Sequence, residues 1–133
     1  MTKISNLTQE ELNIKKKDRR KVIIYVCGAY FGDDNGRSIN KNIEIAKKVA
    51  YNLLEEGFTV ICPHLNFPCS LNNYISYNDI LNSCLELVKI STYMYLLHNW
   101  QESNGAKKEV KIARENYIPI VQSIEELETV FLL

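Results

Sequence analysis

The sequence has no excess of charge of either sign and no long apolar run. Lysine and arginine together number 16, as do aspartate and glutamate, so the formal net charge at pH 7 is zero. General binding to nucleic-acid polymers or anionic membranes needs a positive excess, so neither partner is expected. No apolar run approaches the ~18 residues that span a bilayer. The polar amino terminus also lacks the hydrophobic segment of a secretory signal.

Cysteines at metal-binding or redox spacing are also missing. The four cysteines, Cys27, Cys62, Cys69 and Cys84, form no C-x-x-C motif, and Cys27 and Cys62 lie within apolar runs. A reduced cysteine in such a run behaves as a small buried hydrophobe. Neither a zinc site nor a disulfide framework is therefore expected. A reducing, cytoplasmic location fits these cysteines best.

The pattern that is present is an alternation of strands and helices. The chain has 133 residues, of which 46% are hydrophobic, as in one globular domain. Strands are predicted at 21–27, 58–62, 92–97 and 118–121, and helices at 40–56, 74–89, 104–116 and from about 123. Such alternation predicts right-handed crossovers and a parallel sheet. We therefore expect an α/β, three-layer flavodoxin/Rossmann-like fold with four or five parallel strands.

A polar N-terminal extension, residues 1–20, precedes a single predicted domain at 21–133. Thr8 followed by Glu11 forms a capping-box pattern, so a short helix is predicted to begin at Thr8. The basic run that ends the extension indicates a solvated helix end or, alternatively, an arm that binds phosphate or a partner. The apolar end of the chain, Val130–Leu133, indicates a homo-oligomer, at least a dimer, or a tail packed on its own sheet.

Common nucleotide-binding motifs are missing, and the topology indicates where a ligand binds instead. No G-x-G-x-x-G, P-loop or H-E-x-x-H occurs, so neither a cofactor nor a metal is expected. In a parallel sheet the ligand lies outside the carboxyl ends of the strands, which selects residues 28–38, 62–73 and 98–109. His64 and His98 lie at predicted strand ends, and each is either a ligand contact or a structural hydrogen-bonding residue.

The segment 100–109 carries the strongest chemical pattern. Ser103 suits a helix N-cap and Gly105 allows close approach, so the first amides of the helix can hold an anionic or hydroxyl-rich ligand. Glu109 lies about one turn farther along the same face, where its carboxylate can point into the same pocket. Trp100 is predicted to border that pocket and stack on a base. The alternative is a capped helix with a surface glutamate and a tryptophan in the core or at its rim.

Several stretches resemble the nucleoside 2-deoxyribosyltransferase superfamily, over roughly residues 22–121. Y-V-C-G-A-Y-F-G at 25–32 is similar to the first-strand signature of 2′-deoxynucleoside 5′-monophosphate N-hydrolases. S-x-G-x-x-x-E at 103–109 resembles the segment that carries their catalytic glutamate. C-P-H-L-N at 62–66 and W-x-x-S-x-G-A-x-x-E at 100–109 are similar to small uncharacterised bacterial and phage members.

The resemblance implies a doubly wound parallel sheet and cleavage or transfer at an N-glycosidic bond. Glu109 would be the nucleophile at the anomeric carbon, and Tyr25 would hydrogen-bond near it. Asp79 would be the second carboxylate, which manages the proton of the departing base. The resemblance and the strand-end positions together indicate these substrate-binding residues: Gly28, Tyr30, Gly32, Arg37, His64, Asn66, Trp100, Ser103 and Gly105.

Two positions bear on the substrate. Phe31 stands where the hydrolases carry an arginine for the phosphate, a role left to Arg37 or to the helix start at Ser103. Ser103 stands where transferases that act on free nucleosides carry an aspartate, and a hydroxyl accepts a phosphate that a carboxylate would repel. The predicted function is an N-glycosidase or deoxyribosyltransferase-like enzyme that acts on a nucleotide or nucleoside. The alternative is a non-catalytic protein that senses or sequesters a nucleotide.

Overall fold

The computed structural model describes residues 8–30, 37–67 and 74–132. A 3₁₀ turn, Trp100–Glu102, precedes the fifth helix. The helices and strands in chain order are α1 (Gln9–Arg19), β1 (Ile23–Cys27), α2 (Arg37–Glu55), β2 (Thr59–Ile61), α3 (Pro63–Asn66), α4 (Tyr77–Lys89), β3 (Tyr93–Leu96), α5 (Asn104–Glu115), β4 (Ile120–Val121) and α6 (Ile124–Leu132). Among the described residues, no helix is both long enough and apolar enough to cross a bilayer.

The strands form one parallel sheet in the order β2-β1-β3-β4. This order agrees with that of flavodoxin-like folds, in which the chain reverses direction across the sheet between β1 and β3. The register places Cys27 beside Leu96, so these two central strands end side by side. The α/β fold with a parallel sheet, predicted from the alternating pattern, is confirmed.

Side chains of β1 alternate between two apolar layers, one on each face of the sheet. Ile24 and Val26 pack with α2 and α6, whereas Tyr25 and Cys27 pack with α4 and α5. All four side chains are at most 1% exposed, as expected for a strand covered on both faces. Tyr25 and Cys27 therefore face the helix that carries Glu109.

The segment that follows β2 differs from the loop predicted there. Pro63 begins the four-residue helix α3, and the side-chain oxygen of Asn66 accepts from the Cys62 N–H at 3.1 Å. Proline suits the first position of a helix because the N–H that it lacks has no partner there. The remainder of the predicted loop, 68–73, lies outside the described residues.

The helix of the N-terminal extension packs on the domain through a buried arginine. The capping box predicted at Thr8 is present, since its hydroxyl accepts from the Glu11 N–H and its own N–H donates to the Glu11 carboxylate, each at 3.1 Å. Arg19 is 1% exposed and donates to the Glu56 carbonyl and carboxylate oxygens at 3.0 and 3.2 Å. Its guanidinium also lies 5.0 Å from the centroid of the Phe58 ring.

The apolar end of the chain belongs to α6. Leu127 is buried in the layer that also contains residues of α2. The side chains of Phe131 and Leu132, and all of Leu133, lie outside the described residues, as does most of the stretch on which the prediction of an oligomer rests.

Gly57 is expected to tolerate no side chain. It follows the end of α2 with a φ of 104°, and a Cβ at this position would lie 2.7 Å from the Cα of Lys16. Gly57→Ala should lower the free energy of unfolding by about 1–3 kcal/mol, because backbone strain adds to overlap with α1. Urea denaturation measures this. Asn52→Ala, on the exposed face of α2, is the control and should change stability by about 0.5 kcal/mol or less. Equal stability of the two variants would contradict the prediction.

Candidate active site

A cavity opens where β1 ends, at the position that binds ligands in parallel α/β sheets. Its volume is about 630 Å³ including the open mouth. The walls come from the end of β1 and the residues after it, from α3, from α4 and from the first two turns of α5. Phe67, Ile80 and Leu81 make part of the wall apolar, so polar groups that face the cavity are poorly screened by water.

Glu109 reaches this cavity from the second turn of α5 and is 8% exposed. Tyr25 is fully buried on β1, and its hydroxyl donates a hydrogen bond to Glu109 Oε2. The other carboxylate oxygen, Oε1, lies 4.0 Å from Cys27 Sγ. Tyr25 and Cys27 are two residues apart and therefore point to the same face of β1. One strand thus contacts both oxygens of the carboxylate.

Burial controls the protonation of this carboxyl. It raises the pKa of Glu109 to about 7, while the hydrogen bond from Tyr25 favours the ionised form. Burial and the charge of Glu109 hold the pKa of the Tyr25 hydroxyl well above its usual value, so Tyr25 remains a proton donor. A carboxyl that changes charge near neutral pH inside a cavity is typical of a catalytic acid, base or nucleophile.

The N-terminus of α5 lines the cavity through Ser103 and Gly105. Ser103 is the N-cap, and its Oγ accepts from the Ala106 N–H at 3.1 Å. Gly105 is buried, and a Cβ there would lie 2.5 Å from the hydroxyl of Tyr77. Ser103, Gly105 and Glu109 all line the cavity, so the structure brings together the three residues predicted from the S-x-G-x-x-x-E pattern.

Two buried asparagines, which no sequence motif marks, hold the residues that follow β1. Asn99 Oδ1 accepts from the Ala29 N–H at 3.0 Å, and Asn99 Nδ2 donates to Asn42 Oδ1 at 3.0 Å. Asn42 Nδ2 in turn donates to the Tyr30 carbonyl oxygen at 3.2 Å. A Cβ on Gly28 would lie 2.8 Å from Asn99 Oδ1. The position of Asn99 just after a predicted strand is the only sequence signal that could have indicated this role.

His64 and Tyr30 also line the cavity. His64 is 5% exposed, and its Nε2 lies 2.8 Å from the Ala29 carbonyl oxygen. Because a carbonyl only accepts, Nε2 carries the proton and Nδ1 is the acceptor. Nδ1 is buried and has no hydrogen-bond partner among the described residues. Burial lowers the pKa of the imidazole, which keeps the ring neutral.

Three residues predicted for the site lie elsewhere. Asp79 is exposed on the first turn of α4, where its N–H donates to Ser76 Oγ at 3.2 Å. The residues of α4 that line the cavity are Tyr77, Ile80, Leu81 and Cys84, and position 79 lies on the opposite face of the helix. Asn66 is the last residue of α3; its side chain accepts from the Cys62 N–H, and it does not line the cavity. Trp100 packs against the layer of α4 and α5 and lines a separate groove, so the prediction that it borders the cavity is wrong.

The remaining predicted residues fall outside the site or outside the described part of the chain. Gly32 lies outside the described residues, and so does the side chain of Arg37, the first residue of α2. His98 is exposed and does not line the cavity. Within the described ranges, no three histidine, cysteine, aspartate or glutamate side chains are grouped as a metal site would require.

Residues 21–122 match the family described as "Domain of unknown function (DUF4406)". No curated protein and no solved structure matches the chain.

Glu109→Gln is expected to stabilise the protein much more at pH 8 than at pH 5. The pKa of Glu109 is about 7 in the folded protein and near its ordinary value of 4.5 when unfolded. The folded state therefore binds the proton more tightly, and wild-type stability falls as pH rises from 4.5 to 7. The two pKa values differ by about 2.5 units and each unit corresponds to about 1.4 kcal/mol, so we expect a gain of about 3 kcal/mol at pH 8.

Urea denaturation of both proteins at the two pH values measures this difference. Glutamine keeps the shape of the side chain and an oxygen that accepts from Tyr25. Glu102→Gln, at an exposed position, is the matched control and should show no such pH dependence. A gain for Glu109→Gln that is no larger at pH 8 than at pH 5 would contradict the prediction.

Proposed function

We propose that this chain, which belongs to the DUF4406 family, cleaves or transfers at the N-glycosidic bond of a small nucleotide or nucleoside, with Glu109 as the nucleophile. The observation that carries the proposal is the buried carboxylate of Glu109, hydrogen-bonded by Tyr25 in a partly apolar cavity where β1 ends.

The chemistry of the bond favours this arrangement. Cleavage of an N-glycosidic bond builds positive charge on the sugar, and a fixed carboxylate captures or stabilises that charge. The attraction is stronger in a cavity with apolar walls than in water. Tyr25 holds Glu109 in one orientation and favours its ionised form. The carboxylate is therefore oriented before the ligand arrives.

The rest of the cavity offers polar and apolar contacts to a ligand. Phe67, Ile80 and Leu81 supply apolar surface on which a planar base can pack. The helix start at Ser103 and Gly105 offers hydrogen bonds to hydroxyl or phosphate oxygens.

The position of Asp79 favours a second candidate, a protein that binds a nucleotide without cleaving it. The resemblance implies a second carboxylate beside Glu109, and Asp79 is exposed outside the cavity. Fold alone does not distinguish the two functions. Release of free base does, because only an enzyme produces it.

Glu109→Gln and Ser103→Ala are expected to affect different steps. Incubation with a panel of nucleosides and nucleotides, followed by chromatography, measures the free base released. Glu109→Gln should fold and bind the substrate, but its activation barrier should be several kcal/mol higher, which lowers the rate about a thousandfold or more. Ser103→Ala should instead weaken binding by about 1–2 kcal/mol, because a hydrogen bond and a cap are lost. If Glu109→Gln released base at the wild-type rate, the site assignment would be wrong.

The rate of cleavage is expected to rise with pH through about 7. The nucleophile must be ionised, and the pKa of Glu109 is about 7. Below that pH, kcat/KM should fall about tenfold per unit, since it reports the free enzyme. Initial rates from pH 5.5 to 8.5 measure this pH dependence of kcat/KM. Glu102→Gln should keep the same profile, and a flat wild-type profile would argue against an ionised Glu109 in the reaction.

A further inference from the structure

Bond cleavage leaves an electron pair on a nitrogen of the base, and a proton must reach that nitrogen. Asp79, the carboxyl expected to manage this proton, is exposed outside the cavity. Among the described residues that line the cavity, Glu109 is the only carboxylic acid, and it acts as the nucleophile. The proton therefore needs a donor of another kind.

Four protic side chains lie close enough to Glu109 for its charge to raise their pKa values: Tyr25, Cys27, Tyr77 and Cys84. Tyr25 is fully buried, and its hydroxyl already donates a hydrogen bond to Glu109 itself. Cys27 and Cys84 are 1% and 5% exposed, and burial raises the pKa of the Cys84 thiol to about 11. Tyr77 is the member of this group that both solvent and a ligand in the cavity can reach.

His64 also faces the cavity but has no proton to give. Its Nε2–H donates to the Ala29 carbonyl oxygen, and Nδ1 carries only a lone pair. Burial lowers the pKa of the ring, which opposes a second proton. His64 therefore cannot protonate a departing base without first becoming charged.

Tyr77 stands at the mouth of the cavity with its hydroxyl against α5. It is the first residue of α4, lines the cavity and is 42% exposed. A Cβ on Gly105 would lie 2.5 Å from the Tyr77 hydroxyl, so this glycine makes room for it. Gly105 is one helical turn before Glu109 on the same face of α5. The Tyr77 hydroxyl thus lies on the side of α5 that carries Glu109, close enough for the charge of the carboxylate to act on it.

We propose that Tyr77 is a catalytic residue, whose hydroxyl hydrogen-bonds the departing base and donates the proton that the base takes. This inference rests on the proposed function. A Glu109 oxygen bonds to the anomeric carbon while the carbon–nitrogen bond breaks. The electron pair of that bond goes to the base nitrogen, which takes the Tyr77 proton. Water, or the N–H of an acceptor base in transfer, then attacks the anomeric carbon. Its proton goes to the Tyr77 phenolate, and the electron pair of the ester bond returns to Glu109.

The charge of Glu109 controls when the Tyr77 hydroxyl releases its proton. Burial, and next the charge of Glu109, raise the pKa of Tyr77, which keeps its hydroxyl protonated before reaction. The carboxylate loses its charge when the glycosyl ester forms. The hydroxyl proton becomes easier to release at that moment, and harder again once Glu109 is freed. Retaining glycosidases use the same alternation between a nucleophile and an acid–base group.

Tyr77→Phe tests the proposal, since it removes one oxygen. Two substrates are compared: the nucleoside or nucleotide that the wild type cleaves best, and the 4-nitrophenyl glycoside of the same sugar. Nitrophenolate leaves without a proton, so acid catalysis matters little for it. For the natural base, kcat should fall about 100-fold or more with KM changed little. For the nitrophenyl glycoside, kcat should fall far less, by about fivefold or less. Tyr74→Phe, at a position 86% exposed, is the matched control and should leave both rates unchanged.

The ratio of the two kcat values is measured on one preparation, so it does not depend on how much of the variant folds. A similar loss on both substrates, or no loss on the natural one, would overturn the role of Tyr77. Glu109→Gln is measured in parallel on both substrates. If it abolishes both activities while the Tyr77→Phe ratio stays at the wild-type value, the proposed function stands and this inference fails. If the wild type cleaves neither substrate, both fail together.

Discussion

The hydrogen bond from Tyr25 to Glu109 joins the central strand to α5 across 84 positions of sequence, and the candidate site depends on it. A carboxylate 8% exposed loses most of its contact with water, and this bond offsets part of that loss. The bond forms only where α5 lies close to β1. Ala106 and Ala113, both buried on the face of α5 toward the sheet, permit that approach because they are small.

The same packing face of α5 serves stability at one end and the site at the other. Val110 and Ala113 bury apolar surface against the layer of β1 and β3, which stabilises the fold. Gly105 and Glu109, which precede Val110 on α5, line the cavity, and Glu109 destabilises the folded state when it is ionised. The packing of Val110 and Ala113 thus holds the Glu109 carboxylate at a buried position where its charge lowers the stability of the folded state.

Local sequence patterns predicted the site residues that lie on one helix, but they did not predict contacts between elements that are distant in the sequence. Ser103, Gly105 and Glu109 share one helix face, so their spacing was enough to bring them together. Asp79 depends on how α4 is rotated against α5, which the resemblance did not indicate. The Asn42–Asn99 bond spans 57 positions and carries no local pattern. The helix α3 has no counterpart among the predicted helices, because it is only four residues long and carries no helical repeat of apolar residues; Pro63 suits its first position.

The burial of Glu109 is also the physical argument for chemistry over binding alone. A protein that only held a neutral or anionic ligand would gain stability from an amide at this position, because burial opposes the carboxylate charge. Catalysis at a sugar that becomes positive needs that charge, and needs it in surroundings that screen it poorly. The two tyrosines near this carboxyl differ by exposure: Tyr25 is fully buried and holds the carboxylate, whereas Tyr77 lines the cavity and is 42% exposed. A protein that only binds its ligand does not require the destabilising charge, whereas glycosyl cleavage does.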